Sequence, residues 1–418
     1  MSGALFLPEN EVEDRIRQGL AAFPYDGKRV LVLVPDLTRT MPLPKFFRLI
    51  VQSLRPRVKK VDFLVALGTH PALDEAQMDQ LFGCAPGERA RDFSDVDFLN
   101  HDWKNPQALS LLGTIPGAEI SALSQGMLAM DVPVRINKLV LAYDEILVCG
   151  PVFPHEVVGF SGGNKYFFPG IAGQDIIDVT HWIGALVTSF TLIGTKDTPV
   201  RRVIDRAAAF IPRPRRAICA VVEHDGVSGV FVGPIEEAWN LAADLAAETH
   251  ITWVEKPYRK VLSLLPAMYD EIWVGAKGMY KLEPVVAEGG EVIIYAPHIH
   301  HISAVHGKLI AEVGYHCRDY FVKQWDKFKH YPWGTLAHST HLRGAGSYNA
   351  VTGEEKLRIT VTLATSIPRD ECLALNLSWR DWRDIDVPAW EDEARRDPDC
   401  LVVHRAGEQL YRLRGTKP

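Results

Sequence analysis

Residues 155–181 read HEVVGFSGGNKYFFPGIAGQDIIDVTH: two histidines, one lysine and five glycines in a run that is otherwise mostly apolar. Gly162 and Gly163 reach backbone conformations closed to other residues. They let successive N–H groups point into one concavity, which suits a phosphate, although two adjacent glycines alone are more often an ordinary turn. Lys165 follows them. A lysine after a glycine turn either contacts phosphate or acts as a nucleophilic amine. Beside Tyr166, Phe167 and Phe168 its charged form is disfavoured, which favours the nucleophile. Residues 169–186 read as a turn into a helix, with Asp175 near its start, where negative charge is favourable. Asp178 and His181 stand three apart and share a face of that helix. They are either a carboxylate supporting a metal-binding imidazole or a surface pair, at even odds on spacing alone.

These residues need elements to position them. KRVLVLVPD (28–36) and KKVDFLVALGTH (59–70) are strand-like, and TMPLPKFFRLIVQSLR and PALDEAQMDQLFG after them are helical, the second stopped by Gly83. Strand, polar loop, helix, repeated, is the grammar of a parallel α/β sheet. Such sheets bind ligands at the carboxyl ends of their strands. Asp36, Thr38, Arg39 and His70 fall there, and NKLVLAYDEILVCGPVFPHE (137–156), with two further strand-like runs, delivers His155 just past a strand end. Histidine is the default acid/base near neutral pH, and arginine clamps carboxylates. HDWK (101–104) reads as structural, holding a loop. Residues 235–250 form an amphipathic helix. After about 255 the pattern restarts with KVLSLLPAMYDEIWVGAKG, EVIIYAPH, LRITVTLATS and ECLALNLSW. The expected organisation is an N-terminal α/β domain over 1–255 and a C-terminal α/β domain over 256–385. The tail, 386–418, returns to the first.

The chain has 418 residues, 47% hydrophobic and 23% charged, with net charge −6, enough for a sizeable core. No long basic block points to nucleic acid or an anionic membrane surface. No apolar run reaches the ~20 residues of a membrane span, and the N-terminus does not read as a secretory signal. Six cysteines, without a CxxC pair, read as reduced thiols in a cytoplasm. In the second domain His298, His300, His301 and His306 suggest a metal cluster, yet their spacing fits no standard zinc pattern, and substrate-binding loop histidines are equally plausible. His338 and His341 stand at helical spacing without an assignable role.

DLTR (36–39), GTH (68–70), PHEVVGFSGGNKYFFPGIAG and DVTH together resemble the lactate racemase (LarA) family of nickel-pincer enzymes. The likeness is strongest across 30–190. The resemblance implies two α/β domains with the active site in the cleft between them. It also implies a nickel-pincer nucleotide, a pyridinium mononucleotide whose thioamide and thiocarboxylate pinch a nickel ion. Lys165 is similar to the lysine that joins this cofactor, and His181 to the ligand completing nickel's square plane. His70 and His155 match the two acid/bases, Arg39 the substrate-holding arginine, and Asp36 a cofactor contact. Thr38, Gly162 and Gly163 lie near the cofactor by the same likeness. The implied chemistry removes the α-hydrogen of a 2-hydroxy acid as hydride, forms a planar keto acid and returns the hydride to its other face. Enzymes of cofactor biosynthesis are then implied partners.

The second domain departs from the family. Lactate racemases carry Tyr-Gln-x-x-Lys, whereas this chain has Tyr280-Lys281-Leu282-Glu283-Pro284. APHIHHIS (296–303) replaces a smaller loop. The expectation is a substrate larger than lactate, such as a sugar acid (aldonate) epimerised at C2, with Tyr280, Lys281 and His298 near its extra hydroxyls. A lactate or other short-chain racemase is the alternative. From other classes, a zinc hydrolase would use His70, His155 and His181, and a two-domain solute-binding protein would bind without turnover.

Overall fold

The structure is a computed structural model describing residues 6–223 and 226–416. The chain packs into two compact units. Met1–Phe153, Phe160–Thr180 and Arg201–Thr249 form the first; Pro154–Gly159, His181–Val200 and His250–Pro418 form the second. The break near 255 expected from sequence therefore falls close to 250, and two short segments from the N-terminal half belong to the second unit.

The first unit holds a six-stranded sheet of β1 (Arg29–Val34), β2 (Lys60–Val65), β3 (Phe98–Asn100), β4 (Glu145–Pro151), β5 (Arg215–Glu223) and β6 (Gly226–Pro234). Their order is β6-β5-β4-β1-β2-β3, parallel throughout except for the β5–β6 hairpin. Every residue of β1 from Val30 to Val34 is buried. That continuous apolar run, without alternation, is what a strand covered on both faces requires. Helix α1 (Leu43–Leu54) lays Phe46, Phe47, Ile50 and Leu54 into the core. There Phe47, Phe63, Phe82 and Phe98 pack mostly edge to face. Helix α2 (Glu75–Phe82) opens on a capping box of Asp74 and Gln77 and ends at Gly83 in the left-handed conformation. A Cβ on Gly83 would also strike Pro44 at 2.5 Å. From β1 the chain builds outward through β2 and β3, then returns to place β4 on the other flank of β1. The order reverses there, and the crevice outside the carboxyl ends of β1 and β4 is where such a sheet takes a ligand.

Helix α3 (Gln174–Val187) begins in the first unit and ends in the second, the division falling between Thr180 and His181; α4 (Ile235–His250) lies in the first but for its last residue. The second unit has a five-stranded parallel sheet of β7 (Tyr258–Leu264), β8 (Val286–Ala296), β9 (Thr360–Thr365), β10 (Ser378–Trp379) and β11 (Cys400–Val403), ordered β10-β9-β8-β7-β11. Helix α5 (Trp333–Arg343) is almost wholly buried.

Three local expectations are corrected. Leu139–Ala142, within a strand-like run, is a short helix before β4, because so short an apolar run carries no decisive period. ECLALNLSW gives its first four residues to the helix Arg369–Ala374, which starts after Pro368 with Asp370 and Glu371 in its first turn, and its last two to β10. The tail expected to rejoin the first domain instead supplies β11 beside β7, and Leu410–Leu413 pairs with Ile251–Val254, all in the second unit. Among the described residues no helix is long and apolar enough to cross a membrane. All six cysteines are free and buried.

Candidate active site

Just past β1, at the switch point of the first sheet, the chain turns through Asp36-Leu37-Thr38-Arg39. One Asp36 oxygen accepts from the Thr38 N–H at 3.1 Å and the Thr38 hydroxyl at 2.6 Å. The other meets Nδ1 of His70, which stands past the end of β2. Arg39 Nη1 donates to the Thr38 hydroxyl at 2.6 Å, and its guanidinium lies 5.9 Å from the Phe153 ring centroid. Burial works to raise the Asp36 pKa. The His70 ring, the Arg39 guanidinium and the Thr38 hydroxyl outweigh it and hold the carboxyl well below the usual carboxylate range. An ionised Asp36 keeps a proton on His70 Nδ1, so the ring presents Nε2 for proton transfer.

Past β4, SGGNK is clamped from behind. Arg201 donates to the carbonyls of Phe160 and Gly162, and Trp239 Nε1 donates to the Ser161 carbonyl at 2.8 Å. Arg201 itself stacks 4.2 Å from the Trp239 ring centroid. Gly162 (φ +76) and Gly163 (φ +58) are required twice over, since a Cβ would strike Val152 at 2.6 Å or Trp239 at 2.8 Å. Several of the loop's N–H groups are already committed inside the protein. The Ser161 N–H bonds the Phe153 carbonyl, the Gly163 N–H reaches the Cys219 sulfur, and the Lys165 N–H bonds the Gly162 carbonyl. What the loop provides is a fixed platform for Lys165, on the short helical turn Gly163–Tyr166. The following loop is tied down too. Gly68, from the turn carrying His70, donates to Gly170, and Asn137 to Ile171. His101 Nε2 donates to the Ala172 carbonyl at 3.0 Å while its Nδ1 accepts from Asn137 at 3.1 Å. Burial pushes His101 down to about 4, partly offset by the Ala172 carbonyl, so the ring is a neutral brace. The structural reading of HDWK rests on this residue.

In the second unit His155 is buried, with Nδ1 3.2 Å from both the Val157 N–H and a Glu156 oxygen. Nδ1 can carry a proton toward Glu156, in the neutral or the doubly protonated ring, which leaves Nε2 to exchange a proton; in the other tautomer Nδ1 accepts the Val157 N–H. Both charge states have a partner, as an acid/base requires. His181, the first residue of α3 to belong to this unit, is half-buried. The family's substrate motif is rebuilt differently from expectation. Lys281 is buried and its Nζ donates to the Glu408 carbonyl at 3.1 Å, a bond that packs the unit's own interior. Tyr280 is buried with its ring edge toward His341, centroids 6.4 Å apart. His298 Nε2 meets the Tyr269 carbonyl at 3.0 Å, and His300 and His301 are exposed. Trp273 is sandwiched between His306 and His338, at 4.1 and 4.0 Å. The suspected histidine metal cluster is thus dispersed into packing and surface.

Residues 13–189 match the lactate racemase N-terminal domain. Over that stretch the chain carries the N-terminal domain of the lactate racemase family. A lactate racemase from Thermoanaerobacterium thermosaccharolyticum is 26% identical over 294 residues, 69% of this chain; the match spans 63% of that relative's length. A crystal structure of a Thermotoga maritima protein superimposes with TM-score 0.87 at 32% identity, covering 99% of this chain and 100% of that one. The lactate racemase apoprotein structure from T. thermosaccharolyticum has the same fold, with TM-score 0.74 at 20% identity over 96% of this chain and 93% of that one.

The side chains fit the cofactor that the family implies. Among the described residues no group of three His, Cys, Asp or Glu side chains could hold a metal ion. Lys165 stands on a rigid loop whose neighbours Tyr166, Phe167 and Phe168 are buried. Sequence patterns missed Arg201, Trp239, Glu156 and Glu283, and left His341 unassigned. The first four lie outside the recognisable motifs or between their key positions, and only tertiary pairing gives them a task.

Proposed function

We propose that this chain inverts C2 of a 2-hydroxy acid. Lys165 would carry the nickel-pincer nucleotide and His181 would ligate its nickel. The observation that carries the reading is the Asp36–His70 pair at the sheet's switch point, within the stretch matching the family domain. When bound, the nucleotide supplies a reversible acceptor for the α-hydrogen as hydride. The rest falls to side chains. Asp36 orients His70 so that Nε2 takes or returns the hydroxyl proton. His155, with its Nδ1 proton held toward Glu156, would leave Nε2 free to take or return the proton for the opposite hand of substrate. Arg39 binds the substrate carboxylate through a guanidinium oriented by Thr38.

We read the substrate as larger than lactate, a sugar acid such as an aldonate, because the substrate-binding Tyr-Gln-x-x-Lys motif is replaced. Intact mass and metal analysis after co-expression with cofactor-biosynthesis enzymes test this. The expected result is a covalent adduct with one nickel per chain, lost in Lys165→Ala. The loaded enzyme should then invert aldonates in heavy water with little deuterium at C2. Activity that survives Lys165→Ala, or extensive C2 labelling, overturns the reading.

A further inference from the structure

The second unit holds a partly open cavity of about 130 Å³ lined by the end of α3 and the next turn (Ala185, Thr188, Ser189), by Glu283, by Thr340 and His341 of α5, by Gly344–Gly346 and by Arg318. Ala185 is one helical turn beyond His181, so the space begins beside the residue proposed to hold nickel. A water in the liquid takes roughly 30 Å³, so the cavity holds several waters or a short hydroxylated chain.

Two of its walls carry unmet hydrogen-bonding capacity. Glu283 is fully buried. Its Oε1 accepts from the Ala345 N–H at 2.7 Å, while Oε2 has no partner among the described residues. His341 is 4% exposed, and its Nε2 likewise has none. Buried polar groups are costly to leave unpaired, and the space beside both is the cavity. The wall is also held under strain. Thr188 is β-branched at φ +84, a conformation such residues rarely adopt.

Charge selects the ligand. A carboxylate would face Glu283, and an ammonium would face the Arg318 guanidinium. A neutral hydroxyl donates to Glu283 Oε2 and exchanges a bond with His341 Nε2. The cavity can accept the uncharged end of a polyhydroxylated chain, and lactate has no such end to offer. We propose that this cavity is a subsite for the hydroxyl-bearing tail of the substrate, with Glu283 and His341 as its specificity-determining residues. The assignment rests on the hydroxy-acid reading above and gives it a recognition device.

The test uses full-length apoprotein with erythritol, D-gluconate and lactate as probes, followed by ligand-observed NMR, and the loaded enzyme for kinetics. Erythritol should bind wild type and compete with gluconate. His341→Phe keeps the ring against Tyr280 and removes both nitrogens; Glu283→Gln keeps the Ala345 contact. Each should weaken gluconate about ten-fold or more, the loss of one buried hydrogen bond, and raise its KM with little change in kcat. Lactate should be unaffected. Thr188→Gly, which relieves its backbone strain, gives a variant expected to fold, and it should weaken erythritol in the same direction. Equal losses for lactate and gluconate, or unchanged gluconate affinity in all three variants, overturn the subsite. A loaded enzyme that inverts no hydroxy acid while erythritol binding still depends on His341 overturns the activity and leaves the subsite standing.

Discussion

Asp36 stays ionised in a buried position because three donors converge on it, and that ionisation fixes the tautomer of His70. Asp36→Asn keeps the shape and removes the charge, so the His70 proton loses its fixed place. We expect kcat/KM of the loaded enzyme to fall by roughly 10²–10⁴-fold, the usual contribution of a positioned acid/base, with cofactor loading retained. A fall below about ten-fold would remove Asp36 from the proton path. The position of this pair was legible in the sequence, since a buried strand followed by a short polar turn announces a carboxyl end. For Lys281 the sequence is less informative. A motif places a residue along the chain, but only the fold decides that its amine meets the Glu408 carbonyl.

The loop from Phe160 to Gly173 owes its shape to elements distant in sequence: Arg201, Trp239, Gly68, Asn137 and His101. Gly162 and Gly163 also make room for Val152 and the Trp239 ring, which no local pattern could reveal. His101 makes the brace pH-sensitive. The unfolded ring titrates near 6.5 and the folded one at about 4, so the unfolded state binds the proton more readily between those values. Its contribution is fully present above 6.5 and is lost as pH falls toward 4. From about pH 7 to about pH 4.5 that amounts to roughly 2–3 kcal/mol. Urea denaturation of wild type and His101→Gln should therefore show a stability gap that closes by this amount on acidification. A gap independent of pH would mean His101 is not held neutral in the fold.

The two units share one chain that passes between them at 153/154, 159/160, 180/181, 200/201 and 249/250. Sequence periodicity found the α/β class and the restart near 255 because strands and helices are local. It could not find that 154–159 and 181–200 belong with the later half, since that membership is written in contacts far along the chain. Trp182 stacks on Trp325 at 4.9 Å, and Arg318 donates to the Leu186 carbonyl at 3.0 Å. Arg412 reaches the Phe190 carbonyl at 3.3 Å, and Leu410 and Ile251 pack over Gly194. A fragment ending at 255 keeps the whole first-unit sheet yet strips Arg318, Trp325, Leu410 and Arg412 from the segment that holds Trp182, Ile183, Leu192 and Ile193, all buried in the full chain. Exposing side chains of this kind costs roughly 1.5–3 kcal/mol each and leaves a contiguous sticky surface. The 1–255 fragment should therefore bind a hydrophobic dye strongly and elute as aggregates in size-exclusion chromatography. The 418-residue chain should do neither. A soluble, dye-silent 1–255 fragment with cooperative unfolding would mean that 181–200 packs within the first half, and the interleaved division of the chain would have to be redrawn.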